Sequence, residues 1–150
     1  MRNVLASSCL AFLLLACEEE AHFCHLMDCE DALTVEASSA LGAKYTVEVV
    51  IQGTTSTISC DIPADADGKA GVVSGSTLRA DCFPSNVVIY GAPAEVTVRF
   101  RDEDGTLLGE EALAPEYEVS QPNGEGCEPI CSQAQDEVQT VPAANPNPKS

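Results

Sequence analysis

Apolar and polar residues alternate with a period of two through the middle of this chain. Leu33 and Val35 alternate with Thr34 and Glu36, and Tyr45, Val47, Val49 and Ile51 with Thr46, Glu48 and Val50. Val96, Val98 and Phe100 do the same with Glu95, Thr97, Arg99 and Arg101. Successive side chains of an extended strand point to opposite faces, so this period predicts strands with one face buried and the other in water. Further strands are expected over residues 57–62, 76–82, 87–90, 106–113 and 137–141. Turn signals separate them at roughly eight-to-twelve-residue spacing: Gln52-Gly53, Asp67-Gly68, Pro84-Ser85-Asn86, Gly91-Ala92-Pro93 and Asp104-Gly105. The last of these is the clearest hairpin, because a tight connection needs positive φ, which Asp and Gly adopt at low cost.

About seven short antiparallel strands within roughly 110 residues predict an all-β domain, an immunoglobulin-like β-sandwich. A small β-barrel has the same strand count and spacing and stands as the alternative. The end of the chain, residues 142–150, is rich in Pro and without apolar periodicity, which predicts a disordered tail.

The beginning is of another kind. Met1 and Arg2 precede thirteen uncharged residues, Val4 to Ala16, and Cys17 follows at once, before Glu18-Glu19-Glu20. As a helix that run covers about 20 Å, short of the roughly 30 Å of a bilayer core, so it reads as an export signal and not a spanning anchor. Leu14-Leu15-Ala16-Cys17 resembles the lipobox of bacterial lipoproteins, in which the residue at the Cys17 position is acylated on sulfur, cleaved on its N-terminal side and acylated on the new amine. Leu15 departs from the small residue usual at its position. The organisation expected is therefore a signal peptide over 1–16, a lipidated Cys17 with an acidic tether over 17–31, a sandwich over 32–141 and the tail over 142–150. Several acyl chains on one residue anchor stably, where a single chain binds a bilayer only marginally.

Of eight cysteines, Cys9 leaves with the signal and Cys17 carries lipid, which leaves Cys24, Cys29, Cys60, Cys82, Cys127 and Cys131. An even remainder in an exported chain argues for three disulfides. Cys60 shares a strand face with Ile58 and Ile62, and Cys82 shares one with Leu78 and Ala80, so both thiols point inward and a Cys60–Cys82 bridge is expected. The other four, as Cys24-x₄-Cys29 and Cys127-x₃-Cys131, either close two local loops or staple the ends of the chain together. Around the second pair, Pro122-Asn123-Gly124-Glu125-Gly126-Cys127-Glu128-Pro129-Ile130-Cys131 resembles a loop of small Gram-negative lipoproteins, in which an acylated N-terminus precedes a sandwich and this loop precedes the last strand. The resemblance implies a fold and a location and transfers no active site.

Charge narrows the partners. The 24 acids against 7 bases make the net charge −17, which repels nucleic-acid phosphates and anionic headgroups. Any membrane contact then comes through the lipid on Cys17, and a protein or glycan partner would be basic or calcium-bridged. Sandwich loops cluster at its two ends, so the partner surface is expected at the loops 61–74 and 84–93.

Candidate chemistry is sparse. His22, Cys24, His25 and Cys29 are the residue types of a zinc site, but an oxidising compartment favours disulfides over thiolates, and metal ligation is not expected. Asp61, Asp65 and Asp67, and likewise Asp102, Glu103, Asp104 and Glu111, concentrate oxygen ligands about two turns without completing an EF-hand loop. The pairs Asp102/Asp104 and Glu110/Glu111 read as solvated strand edges, neither His has a plausible nucleophile beside it, and no Gly-x-Ser-x-Gly occurs. Gly68-Lys69-Ala70-Gly71 lacks the rest of a phosphate loop and reads as a turn. The expected protein is a non-catalytic, cofactor-free lipoprotein of the cell envelope, a binding or structural module on the outer-membrane side, since Glu18 stands where a retained lipoprotein has Asp. A metal-binding lipoprotein and a divergent secreted hydrolase are the alternatives.

Overall fold

In the computed structural model, which describes residues 24, 27–63 and 78–142, nine strands form two sheets. They are β1 (Ala32–Ala37), β2 (Lys44–Ile51), β3 (Thr54–Asp61), β4 (Ala80–Cys82), β5 (Asn86–Tyr90), β6 (Val96–Asp102), β7 (Leu107–Leu113), β8 (Glu118–Ser120) and β9 (Cys131–Val138). One sheet has the order β4-β5-β1-β9-β8 and the other β3-β2-β6-β7. The hairpins β2–β3, β4–β5, β6–β7 and β8–β9 alternate between the two layers. The two open sheets make a sandwich, as the alternation predicts, and not a closed barrel.

Each strand buries alternate residues, the odd-numbered ones in β1, β2 and β5 and the even-numbered ones in β3, β4 and β6. Leu33 and Val35, Tyr45, Val47 and Val49, Val87 and Ile89, and Val98 and Phe100 are buried, together with Ile58 from β3. Their polar neighbours form the outer faces, and one slip of register would exchange the two sets, which pins each ladder. Tyr45 is buried because its hydroxyl has partners, donating to the carbonyls of Phe83 at 2.7 Å and Asn86 at 3.2 Å. On the outer face of the four-stranded sheet, Arg99 pairs with Glu48 and Glu110, and Arg101 pairs with Glu48.

Two turns show how local residues set the hairpins. Gln52 and Gly53 both have positive φ, 50° and 78°, the backbone of a two-residue turn whose twist matches that of the strands it joins. At the other hairpin only Gly105 has positive φ, so the tight Asp104-Gly105 turn of the sequence reading opens into a three-residue loop, Glu103 to Gly105. The Asp102 N–H donates to the Thr106 carbonyl, while Asp102 Oδ1 accepts from the N–H groups of Asp104 and Thr106.

Strand boundaries differ in three places. The three-residue strand β8 is not among those expected, because so short a segment carries too few alternations to be read, and the strand expected over 76–82 is β4, Ala80–Cys82, among the described residues. The last strand runs over Cys131–Val138 and not over 137–141. Its inward positions are Ser132, Ala134, Asp136 and Val138, only the last of them large and apolar, so hydropathy hides it. Third, β9 pairs with β1 in parallel, Leu33 opposite Ala134 and Val35 opposite Asp136, in a sandwich otherwise antiparallel.

Three disulfides close the body. Cys60–Cys82 joins the edge strands β3 and β4 of opposite sheets, as the shared inward parity requires. Cys24–Cys127 and Cys29–Cys131 resolve the open pairing: they staple the ends of the chain together across separations of 103 and 102 residues. Between these staples sits Asn123, 2 % exposed. Its Oδ1 accepts the Met27 N–H at 2.7 Å, and its Nδ2 donates to the carbonyls of Met27 at 2.9 Å and Glu128 at 2.7 Å. Every polar atom of that amide is thus used to fasten the N-terminal segment to the 121–131 loop. Gly124 and Gly126, with φ of 99° and 78°, let the loop turn around it.

Candidate functional site

The stapled N-terminal segment borders a concavity among the described residues. On the outer face of the five-stranded sheet, Val88, Thr34 and Gln135 form one cross-strand row, and Tyr90, Ala32, Gln133 and Glu118 form the next. The central strand contributes only Ala32 and Thr34 to these rows, so the floor is low where the sheet would otherwise be filled. Asp28, Cys29 and Glu30 line it, held there by the Cys29–Cys131 bond, as do Glu118 at the start of β8 and Glu116 just before that strand. The result is a groove of about 1050 Å³. Asp31 fixes the rim from below: its Oδ1 accepts the Ser132 N–H at 2.7 Å and its carbonyl accepts the Gly91 N–H at 2.8 Å.

The groove is negative. Asp28, Glu30, Glu116 and Glu118 line it, and no basic side chain does among the described residues. Arg79, which reaches two groove residues, is already engaged: both ends of its guanidinium bind Glu30, and it stacks 3.7 Å from the centre of the Tyr90 ring. The Tyr90 hydroxyl donates to Asp81 Oδ2 at 2.7 Å, and that bond, followed by burial, raises the phenol above its ordinary pKa. The other described bases are paired too, Lys44 with Asp61 and the two arginines of β6 with Glu48 and Glu110. Arg79 offsets the charge of Glu30, so the field at the groove is chiefly that of Asp28, Glu116 and Glu118 in a concave, partly apolar setting, where opposite charge is attracted more strongly than at a convex surface.

The residues singled out from sequence fare unequally. Cys17, His22, His25, Asp65, Asp67 and the Gly68-Lys69-Ala70-Gly71 turn lie outside the described residues. The zinc set cannot form as drawn, because the sulfurs of Cys24 and Cys29 are bonded to those of Cys127 and Cys131. Asp61 is exposed and pairs with Lys44, and Asp102 spends its carboxylate on the backbone of its own turn. Glu110 is paired with Arg99, which holds its carboxyl below the usual range, while Glu103, Asp104 and Glu111 are exposed. Among the described residues no three His, Cys, Asp or Glu side chains converge as metal ligands do.

The groove and the loops expected to form a partner surface are different places. Among the described residues of the loops 61–74 and 84–93, of which 64–74 lie outside the description, Val88 and Tyr90 line the groove, and they do so as strand residues. The groove was missed because its floor is the polar face of β1 and β9, which alternation marks only as solvent-facing. The available signal was Ala32 and Thr34, small outward residues on a strand that the end-to-end staples place beneath the tether. No family model matches this chain, and neither a curated protein nor a solved structure matches it.

Proposed function

We propose that this chain is a lipoprotein of the bacterial cell envelope, acylated at Cys17, whose non-catalytic sandwich presents the acidic groove to a cationic partner. The observation that carries the binding role is the groove itself: about 1050 Å³, flanked by Asp28, Glu30, Glu116 and Glu118, with no lysine or arginine among its lining residues. Three disulfides support a life outside the reducing cytosol, and the Leu14-Leu15-Ala16-Cys17 signature supports the lipid. Glu18 after the acylated Cys favours the outer membrane. The partner is a protein segment rich in Lys or Arg; nucleic acid is disfavoured by a net charge of −17.

Two measurements test this reading. Incorporation of a labelled fatty acid into the full chain in a Gram-negative host should occur and should be lost in Cys17→Ala. For the groove, a fluorescent heptapeptide of alternating Lys and Val should bind the detergent-purified full chain with an affinity that falls with salt, and Glu116→Gln with Glu118→Gln should weaken it about tenfold. Absence of peptide binding, or binding untouched by the double substitution, overturns the groove as the site.

A further inference from the structure

One flank of β9 carries no strand along most of its length. The Val138 carbonyl accepts the Ser38 N–H at 3.1 Å, and the Ser132 N–H reaches Asp31 Oδ1 at 2.7 Å, both on the β1 side. Even-numbered residues of β9 therefore direct their backbone groups toward β1, and Gln133, Gln135 and Glu137 direct theirs the other way. On that other side Gln133 meets Glu118, the first residue of β8, and there the pairing stops. Among the described residues the N–H and C=O groups of Gln135 and Glu137 have no backbone or side-chain partner. Beyond them the flank closes again, because the Val141 N–H bonds the Leu108 carbonyl at 2.9 Å and Gly109 lies against Gln139. The open stretch, residues 134–138, is about 16 Å long at the usual rise of a strand.

We infer that this open flank of β9 binds an extended, Lys- or Arg-bearing peptide segment as an added strand, lying in the acidic groove and pairing with Gln135 and Glu137. The inference rests on the proposed cationic groove and names how its partner is held. Three observations favour that occupant. Gln135 and Glu137 are exposed, and Gln133, Ala134 and Gln135 line the groove, so a strand added here lies along its wall. Charge borders the flank on both faces: Glu118 stands with Gln133 and Gln135 on the outer face, while Asp136 points inward. Asp136 Oδ2, moreover, is buried without a hydrogen-bond partner among the described residues. An inward-pointing acid on an open edge discourages a second copy of the same acidic chain, and the exposed Glu118 beside the flank offers a cationic side chain on the added strand a partner. Backbone pairing supplies affinity in this mode, and the alternating side-chain contacts supply selectivity.

The experiment compares two peptides and one variant, read by fluorescence anisotropy on the detergent-purified full chain. The alternating Lys-Val heptapeptide should bind; the same peptide N-methylated at every internal amide keeps its charge and loses its donors, and should bind at least about tenfold more weakly. Gln135→Pro removes an N–H that faces away from β1, so the β1–β9 ladder stays whole and melting should change little, while the parent peptide loses at least about tenfold in affinity. Equal binding of the two peptides overturns the added strand and leaves the cationic groove standing. Failure of both to bind overturns the groove as well. If Gln135→Pro does not fold, the peptide pair alone decides. A dimer of the full chain that Gln135→Pro abolishes would also overturn the inference, by assigning the flank to a second copy.

Discussion

Removing the two end staples one at a time and together should give costs that do not add. In the unfolded chain, Cys24–Cys127 closes a loop of 103 residues. A closure of that size is worth about 4.7 kcal/mol in the chain-entropy treatment. Once it exists, Cys29–Cys131 closes only the small ring made by residues 24–29 and 127–131, about ten residues, worth about 2.7 kcal/mol. The roles exchange if the other bond is taken first. Each single removal, Cys24→Ala with Cys127→Ala or Cys29→Ala with Cys131→Ala, should therefore cost about 2.7 kcal/mol, because the surviving bond still holds the ends together. Removing both should cost about 7 kcal/mol, which exceeds the two single costs combined by about 2 kcal/mol. Packing lost at the buried Cys127 and Cys131 enters the single and double variants alike and cancels in this coupling. Urea unfolding of the four proteins, exported to an oxidising compartment, measures it directly. Costs that add within about 0.5 kcal/mol, or a single removal as damaging as the first closure, would refute the nested-loop reasoning.

Asn123→Asp should destabilise the chain by about 2–4 kcal/mol in the same urea assay, because the carboxylate has no N–H for the carbonyls of Met27 and Glu128 and brings a charge into a buried site. A cost below about 1 kcal/mol would mean that the two staples position the N-terminal segment without the amide. Glu110 is held below its ordinary pKa first by the hydrogen bond from Arg99, so its contribution is fully present above the ordinary glutamate value and lost as pH falls through the depressed native one. Melting temperatures of the protein and of Glu110→Gln, taken at low salt from about pH 7 down to about pH 2, should therefore differ slightly at neutral pH and converge in acid. A gap that persists unchanged into acid would assign the difference to something other than this ionisation.

Alternation was a sufficient guide wherever a strand buries one full face. Tyr45 to Ile51 and Val96 to Phe100 are the plainest cases, and parity alone was enough to pair Cys60 with Cys82. It failed on β9, whose inward residues are mostly small or polar and whose place is set by its neighbours β1 and β8. The end staples were equally beyond it, since a pairing across about a hundred residues depends on which strands become neighbours and not on local pattern. The groove shares that cause: Asp28 and Glu30 meet Glu116 and Glu118 only because the first and last strands lie side by side. Composition showed only that the chain is acidic, and the topology determines where Asp28, Glu30, Glu116 and Glu118 collect.

The parallel pairing of β1 with β9 also sets the order in which the molecule can be completed. The hairpins β2–β3 and β6–β7 join segments close in sequence and can form as the chain emerges. Leu33 and Val35 cannot finish their sheet in that way, because one flank of β1 waits for residues 133–136, about a hundred positions downstream. A nascent chain that lacks its last strand is thus half a sandwich, with one sheet able to assemble and the other open at its middle. Completion of the five-stranded sheet is tied to synthesis of β9, while the four-stranded sheet can assemble before it.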